Sequence, residues 1–203
     1  MKNHFQIRLI NDTDAEAVLE VYKPYILNTS ITFEYEVPGI AEFDERIKTI
    51  TVEYPWLVCL QNGEIIGYAY GCKHRYRTAY NWSAESTIYM KSDFHGKGIG
   101  RVLYNTLFSI LQFQGFINVY AGVGLPNVKS EGFHAAMGFE KIGDFTKIGY
   151  KFGKWHDVRW FQKHLSEHRV EPPTPKLMQE IKSSQTFQAI MTDAKMELTD
   201  HNS

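Results

Sequence analysis

Apolar positions along the chain recur with a period of two in some segments and with helical spacing in others. Phe5, Ile7 and Leu9 alternate with polar residues and predict a strand, whereas 15–26 carries apolar residues at helical spacing. The pattern predicts strands at 5–9, 56–60, 65–72, 87–90, 117–123, 139–146 and 155–165, and helices at 15–26, 41–53, 99–114 and 128–137. The order β-α-α-β-β-β-α-β-α-β-β predicts an α/β (α+β) chain with a mixed sheet and helices on its faces.

Two turn positions support this order of elements. Asn62 and Gly63 lie between two apolar runs, which is typical of a tight type I′ hairpin in which both central residues take positive φ. Gly115 follows the last apolar position of the third helix, where a left-handed residue commonly ends a helix. Both signals are local and do not depend on the rest of the fold.

Aromatic residues stop abruptly near residue 169. Of the 29 aromatic residues only Phe187 lies beyond that point, and the run Glu171-Pro172-Pro173-Thr174-Pro175 is extended and hostile to helices. The sequence therefore predicts one domain over 1–169, followed by a Pro-containing linker and a partly helical or disordered tail over 170–203. Disorder is expected beyond Asp193.

The overall charge excludes some classes of function. Lys and Arg total 22 against 23 Asp and Glu, so no basic excess favours nucleic acid or an anionic membrane surface. We find no signal peptide and no apolar run long enough to span a membrane, and expect a cytoplasmic protein without nucleic-acid or membrane partners. Cys59 and Cys72 are too few for a disulfide scaffold or a zinc site, and no metal is expected.

A glycine-rich turn, His95-Gly96-Lys97-Gly98-Ile99-Gly100-Arg101, lies between a predicted strand and the third helix. Glycines allow backbone N–H groups to converge on an anion, and the helix start adds unpaired N–H groups and a positive dipole end. The turn lacks the Lys-Ser/Thr of a P-loop and the final spacing of a dinucleotide fingerprint. A pyrophosphate site and an ordinary tight turn are the two readings left open.

The same seven residues resemble the R/Q-x-x-G-x-G/A motif of the GCN5-related N-acetyltransferases (GNAT), with His95 in place of Gln or Arg. Asn127-x-x-Ser130-x-x-x-His134, followed by Gly138-Phe139, resembles the second cofactor-binding motif of this family. His134 stands where the family most often has Tyr. The resemblance implies acetyl-CoA as co-substrate, with its pyrophosphate on the turn and its pantetheine arm on the preceding strand. The implied cofactor-binding residues are Ile88, Tyr89, Met90, Gly96, Lys97, Gly98, Ile99, Gly100, Arg101 and Asn127.

Within that family, residues 5–165 resemble the phosphinothricin/methionine sulfoximine acetyltransferases. The resemblance implies the GNAT acyl-CoA N-acyltransferase fold, with a mixed, mostly antiparallel sheet flanked by helices on both faces. It also implies acetyl transfer to the amine of a small amino-acid-like acceptor. The matching segments are Thr29-Ser30 with Thr32-Phe33, Tyr54-Pro55-Trp56-Leu57-Val58, residues 77–89, Gln114-Gly115-Phe116, Gly124-Leu125-Pro126-Asn127, residues 133–139 and residues 149–158.

Glu85 is the candidate general base. It shares one strand face with Thr87 and Tyr89 and has little negative charge near it in sequence, although a solvated strand carboxylate is the commoner fate of a Glu. The resemblance places the catalytic glutamate of the branch at this position, so we expect a raised pKa and a role as base, directly or through water. His134 is a second catalytic candidate, either as the acid that protonates the CoA thiolate or as a hydrogen-bonded structural histidine.

Arg75, Tyr76 and Arg77 lie in a predicted loop before that strand. A guanidinium group binds carboxylate or phosphinate in a bidentate manner, which suits an amino-acid acceptor, although loop arginines are usually solvated. We predict that these three residues bind the acceptor together with Glu85, Ser86 and Thr87. Four aromatic residues are candidates for the pocket wall, namely Phe33, Tyr35, Trp82 and Tyr150.

The sequence leaves other functions open. A peptide N-terminus, a polyamine or an aminoglycoside would be alternative acceptors, and a non-catalytic acyl-CoA-binding module is an alternative class. A phosphotransferase is disfavoured because no P-loop Lys-Ser/Thr and no acidic metal pair accompany the glycines. The family resemblance also implies a homodimer, for which the aromatic-rich C-terminal strand region is the candidate interface.

Overall fold

A computed structural model describes residues 4–200 and contains one seven-stranded sheet with the order β1-β2-β3-β4-β5-β7-β6. Every neighbouring pair is antiparallel except β4 and β5, which run parallel. The mixed, mostly antiparallel sheet predicted from the sequence is confirmed. The strands are β1 (Phe5–Leu9), β2 (Trp56–Gln61), β3 (Glu64–Lys73), β4 (Ser83–Met90), β5 (Asn118–Gly124), β6 (Glu140–Lys151) and β7 (Lys154–His164).

Helices cover both faces of the sheet, as predicted. Alternation along β2 explains why: Leu57 and Cys59 join the apolar cluster under α3, whereas Trp56, Val58 and Leu60 join the cluster under α1 and α2. The helices are α1 (Ala15–Asn28), α2 (Ile40–Thr51), α3 (Ile99–Gln114), α4 (Val128–Ala136), α5 (Met178–Ile181) and α6 (Gln185–Asp200).

The local turn signals are also confirmed. Asn62 and Gly63 have φ of 51° and 88°, so both central residues of the β2–β3 hairpin are left-handed, as a type I′ turn requires. Gly115 ends α3 with φ of 106°, and its N–H donates to the carbonyls of Leu111 and Gln112. Strand β4 begins at Ser83, four residues before the predicted start.

The segment after β7, predicted to be partly helical or disordered, contains two helices in the structure. Helix α6 continues past Asp193, and Phe187, Met191, Ala194 and Leu198 are buried in the same cluster as α3. Met178 and Ile181 of the short α5 are buried as well. The extended run between β7 and α5 is tied to the domain by Trp82, whose Nε1 donates to the carbonyl of Pro173 at 2.8 Å. A division at residue 169 stays a prediction, but the described tail packs against the main core.

Candidate active site

Strands β4 and β5 part in the middle of the sheet. They pair only over Ser83–Asn118, Ala84–Val119 and Glu85–Tyr120, although β4 continues to Met90 and β5 to Gly124. The β5-facing edge of residues 86–90 is therefore left without a strand partner and can bind a ligand through backbone groups. The residues predicted to hold the pantetheine arm, Ile88 to Met90, lie on this unpaired edge.

Glu85 lies at the point where the strands part. Its side chain is 31% exposed, and burial raises the pKa of its carboxyl to about 7 in spite of the nearby positive charge of Arg75. A carboxyl group that titrates near neutral pH can take a proton from an ammonium group at physiological pH. The predicted rise in pKa is therefore present in the structure, and its cause is desolvation rather than a second carboxylate.

The three predicted acceptor-binding residues lie in the loop between β3 and β4 and are open to solvent. Arg75, Tyr76 and Arg77 are exposed, and Tyr76 is 95% exposed. Arg75 is near enough to Glu85 to act on its charge, whereas neither arginine forms an ion pair among residues 4–200. Two guanidinium groups without a described carboxylate partner are thus free to meet an anionic ligand.

Ser86 and Thr87 face opposite sides of β4. Ser86 is buried, and its hydroxyl donates to the carbonyl of Tyr120 at 3.4 Å, which links the two strands just beyond their last pair. Thr87 is paired with Tyr70 and lies on the same face as Glu85. The structure therefore places Thr87 next to the predicted acceptor site and gives Ser86 a role inside the sheet.

The glycine turn has the form expected of an anion site. Gly96 and Gly98 have φ of 75° and 78°, and Gly98 precedes the first turn of α3, where no side chain caps the helix. Among residues 4–200, the backbone N–H groups of residues 96–100 have no hydrogen-bond acceptor, and the next amide, that of Arg101, donates to the carbonyl of Gly98 at 2.9 Å. Five adjacent unpaired amides at a helix N-terminus fit a pyrophosphate. Lys97 and Arg101, both exposed, add positive charge to the same turn.

His95 and Tyr25 form a contact that the sequence does not predict. The Tyr25 hydroxyl donates to the carbonyl of Met90, and His95 Nε2 is within hydrogen-bond distance of the same carbonyl. The Tyr25 hydroxyl and His95 Nε2 are 3.1 Å from each other. Together they fix the end of β4 relative to α1 and to the glycine turn. The only sequence signal for Tyr25 is its place one turn after Tyr22 on the buried face of α1.

Asn127 begins α4 as its N-cap. Its side-chain oxygen accepts a hydrogen bond from the backbone N–H of Ser130 at 3.2 Å. The amide nitrogen of Asn127 has no hydrogen-bond partner among the described residues and can still donate to a cofactor. Its predicted part in acetyl-CoA binding stays a prediction.

His134 is 4% exposed and is held at both ring nitrogens. Nδ1 is 2.8 Å from the carbonyl of Ser130, so Nδ1 carries the proton, and Nε2 is 3.4 Å from the hydroxyl of Tyr104. The ring stacks on Phe161 with centroids 5.5 Å apart, and burial lowers the pKa of the imidazole. These contacts favour a structural histidine over a proton donor that faces solvent.

The four aromatic wall candidates are not brought together. Trp82 is tied to the C-terminal segment through Pro173, whereas Phe33 packs near His156 with ring centroids 6.2 Å apart. Tyr35 and Tyr150 are 62% and 48% exposed, and the Tyr35 hydroxyl donates to the carbonyl of Tyr150. Phe33, Tyr35 and Tyr150 therefore lie around the β6–β7 hairpin, and Trp82 does not.

Parted central strands, unpaired amides at the next helix and a carboxyl at the junction are the features expected of an acyl-CoA N-acyltransferase site. A family model for the acetyltransferase (GNAT) domain matches residues 7–160. The chain therefore belongs to the GNAT acetyltransferase family, and the predictions of the family, the fold and an N-acetyltransferase enzyme are confirmed.

Two curated relatives and one solved structure are similar to this chain over most of its length. The chain is 34% identical over 170 residues to phosphinothricin N-acetyltransferase of Streptomyces viridochromogenes, and the aligned residues cover 84% of this chain and 92% of that protein. It is 28% identical over 166 residues to the L-methionine sulfoximine/L-methionine sulfone acetyltransferase of Salmonella typhimurium, covering 80% and 95%. The crystal structure of a phosphinothricin acetyltransferase from Sinorhizobium meliloti with AcCoA matches with a TM-score of 0.79 and 35% identity, covering 85% of this chain and 94% of that one.

Proposed function

We propose that the protein transfers the acetyl group of acetyl-CoA to the primary amine of a small amino-acid-like acceptor of the phosphinothricin or methionine sulfoximine type. The observation that carries the proposal is Glu85, a carboxyl with a pKa of about 7 at the parting of β4 and β5, beside Arg75. The names of the relatives support the acceptor class. Their similarity supports acetyl-CoA as the co-substrate, since one solved relative contains it.

Glu85 supplies the base that the reaction requires. An ammonium group has no lone pair, so the acceptor must lose a proton before its nitrogen can attack a thioester. Glu85 accepts that proton, directly or through one water, and its partly buried position keeps its basicity high enough to do so. The low-polarity surroundings that raise its pKa also strengthen its attraction to the ammonium group.

Arg75 and Arg77 bind the acid group of the acceptor. Phosphinothricin and methionine sulfoximine both carry a carboxylate next to the reacting amine, and a guanidinium fork matches two carboxylate oxygens. Arg75 has two effects: its guanidinium binds the acceptor carboxylate, and its charge lowers the pKa of Glu85, the base for the acceptor amine. A polyamine has no acid group and would be repelled by the two arginines, which disfavours that alternative acceptor.

The chain's own backbone would hold acetyl-CoA. The amides of residues 96–100 would bind its pyrophosphate, Ile88 to Met90 would pair with its pantetheine arm, and Asn127 would donate its free amide N–H. When bound, acetyl-CoA supplies the activated acetyl group. A backbone N–H near Met90 is the candidate donor to the acetyl oxygen, on which negative charge grows during attack.

The test is a screen for CoA release. The purified enzyme is incubated with acetyl-CoA and one amine at a time, and the free thiol is measured with a chromogenic reagent. The amines are phosphinothricin, methionine sulfoximine, free amino acids, a peptide N-terminus, spermidine and an aminoglycoside. We expect turnover with the first two, whereas turnover with only spermidine or a peptide would refute the acceptor class. Binding of acetyl-CoA without release of CoA for any amine would support the non-catalytic alternative.

We also propose that the protein is a homodimer through the β6–β7 hairpin. Large apolar side chains of this hairpin are about half exposed, which is unusual for a surface that stays in water. They are Ile142 (48%), Phe145 (47%), Ile148 (55%), Tyr150 (48%), Phe152 (57%) and Trp155 (59%). Light scattering after size-exclusion chromatography is expected to give twice the chain mass, and Phe152→Asp or Trp155→Asp is expected to give the monomer. A wild-type monomer at micromolar concentration would refute this proposal.

We propose a cytoplasmic location, where acetyl-CoA would be supplied to the enzyme. Cys59 and Cys72 are both free thiols, as is usual in a reducing compartment. None of the described helices is long and apolar enough to cross a bilayer. Fractionation of cells that express a tagged chain tests the location, and recovery in the membrane or extracellular fraction would refute it.

A further inference from the structure

The imidazole of His74 faces the carboxyl of Glu85. Nδ1 of His74 is 3.5 Å from Oε2 of Glu85, and this nitrogen is buried without a hydrogen bond to any described residue. The ring lies flat on Tyr120, with centroids 4.4 Å apart and planes at 17°, and meets the edge of Trp160 at 5.8 Å. Packing on two sides holds the ring against Glu85, the one carboxylate that lies within ion-pair distance of it among residues 4–200.

Strand register explains why these two side chains meet. Glu85 pairs with Cys72 on β3 and with Tyr120 on β5, so the three form a row across the same face of the sheet. His74 is two residues beyond Cys72 and continues on that face where β3 ends. The contact depends on the fold and not on any local motif.

We propose that His74 is a positioning residue for Glu85. Its imidazole shares a proton with the Glu85 carboxyl and thereby keeps that carboxyl ionised when the acceptor amine arrives. The transfer is balanced: the O–H bond of the protonated carboxyl breaks, its electron pair stays on Oε2, and the lone pair of Nδ1 forms an N–H bond. A neutral pair becomes a carboxylate and an imidazolium with no change in net charge. This inference rests on the proposed role of Glu85 as the base.

The short distance between the two groups makes such sharing favourable. Burial raises the pKa of Glu85 to about 7 and lowers the pKa of His74, because the charged form of each group loses solvation in this packed position. Two ionisable groups 3.5 Å apart titrate as a pair rather than singly, and the attraction between a carboxylate and an imidazolium is strong where water is largely excluded. After Glu85 has taken a proton from one amine, His74 can accept it in turn and restore the carboxylate.

Other charged or titratable groups also face the pair. Arg75 is the one with a fixed charge: it favours the carboxylate and opposes the imidazolium. Burial raises the pKa of Cys72 to about 12 and raises that of Tyr104, so both stay uncharged while the pair titrates. The facing groups are Cys72 on β3, Arg75 and Tyr80 after β3, and Tyr120 on β5, whereas Tyr104 on α3 interacts with the charge of Glu85 from the other face of the sheet.

The test is the pH dependence of kcat/KM in two variants. His74→Phe keeps a ring on Tyr120 without a nitrogen, and His74→Asn keeps a polar group that does not titrate. With phosphinothricin or methionine sulfoximine as acceptor, we expect the acidic limb of each variant to move up by about one pH unit. This shift means about a tenfold loss of kcat/KM at the acidic end and less than about a twofold loss near pH 9.5, where Glu85 is ionised in every variant.

A purely structural role predicts a different result. If His74 only packs, its variants would lose activity by the same factor at every pH, or would lose none, and either outcome overturns the proposal. His4→Phe is the matched control, because it makes the same change at an exposed histidine next to the edge strand β1 and is expected to leave the profile unchanged.

A measurement on the wild-type ring keeps the proposal testable if a His74 variant does not fold. Nitrogen-15 NMR of labelled histidine follows protonation of His74 in the wild type and in Glu85→Gln. We expect the midpoint of this titration to fall in Glu85→Gln, because the amide cannot stabilise an imidazolium, and an unchanged midpoint would overturn the inference. Full turnover in Glu85→Gln would instead refute the proposed base, so the two failures are distinguishable.

Discussion

The pKa of Glu85 makes a quantitative prediction about rate. If the carboxylate is the base and titrates at about 7, about a tenth of the enzyme is active at pH 6 and about nine tenths at pH 8. kcat/KM should therefore rise nearly tenfold between these two values. A solvated glutamate with its usual pKa of 4.5 would already be almost fully ionised at pH 6, and the rate would then be flat over this range.

The same shift predicts an effect on stability, with a definite sign. Folding raises the pKa of Glu85, so the folded protein loses stability as the pH rises from about 4.5 to about 7, and the loss is complete above that window. The full shift corresponds to about 3.4 kcal/mol, which we reduce to about 1–2 kcal/mol because the side chain is 31% exposed. Glu85→Gln should therefore be more stable than wild type at pH 8 and equally stable near pH 4.

Kinetics and urea denaturation check both parts. CoA release is measured from about pH 5.5 to 9.5 with a thiol reagent, and Glu85→Gln is expected to lower kcat by about 10²–10⁴-fold with the Kd for acetyl-CoA unchanged. A rate that is flat between pH 6 and pH 8, or a variant with near wild-type turnover, would refute the reasoning. A Glu85→Gln variant that is less stable at pH 8 would show that the carboxylate is well solvated or paired.

The remaining predictions concern the acceptor loop, the glycine turn, His134 and the tail. Arg77→Ala should raise KM for the acceptor about tenfold and leave the acidic limb of the pH–rate profile where it is. Arg75→Ala should raise KM and also move that limb to higher pH, because the Arg75 charge lowers the pKa of Glu85. The same pH–rate profile for both variants would contradict this prediction. Gly98→Ala forces a side chain into φ of 78° and should weaken acetyl-CoA binding about tenfold, measured by calorimetry, with unchanged affinity as the contrary result. His134→Ala should lower the free energy of unfolding by about 2–4 kcal/mol and leave the pH profile in place, and a moved basic limb would restore it as a proton donor. Phe187→Ala should lower the free energy of unfolding by about 3 kcal/mol, and an unchanged melting temperature would show that α6 does not belong to the core.

Elements with strong local signals could be predicted from the sequence. The β2–β3 hairpin follows from Asn62-Gly63, and α3 follows from one apolar stripe closed by Gly115. The extent of α6 is not predicted from the sequence, although Phe187, Met191, Ala194 and Leu198 are spaced as a helical stripe. A new helix begins after Ser184, whose hydroxyl accepts a hydrogen bond from the backbone N–H of Phe187 at 3.2 Å.

The site shows the same division between local and long-range information. Arg75 and Glu85 could be placed in the same region because one loop, residues 74–82, joins β3 directly to β4. His74 was missed because its contact with Glu85 depends on the register of β3, β4 and β5. Tyr25 was missed because its contact with Met90 joins residues 65 positions apart in the chain.

One structural feature accounts for both halves of the proposed chemistry. If β5 paired with β4 as far as Met90, the backbone edge of residues 86–90 would be satisfied within the sheet and no strand-like ligand could add to it. Because pairing stops at Glu85–Tyr120, that edge is open, and the side chain at the last pair stands where the sheet begins to divide. A carboxyl one pair earlier, at Ala84, would lie within the fully buried core, and one far beyond it would be solvated. In the proposed function, the end of the β4–β5 pairing therefore sets both where the cofactor would bind and how basic the carboxylate beside it is.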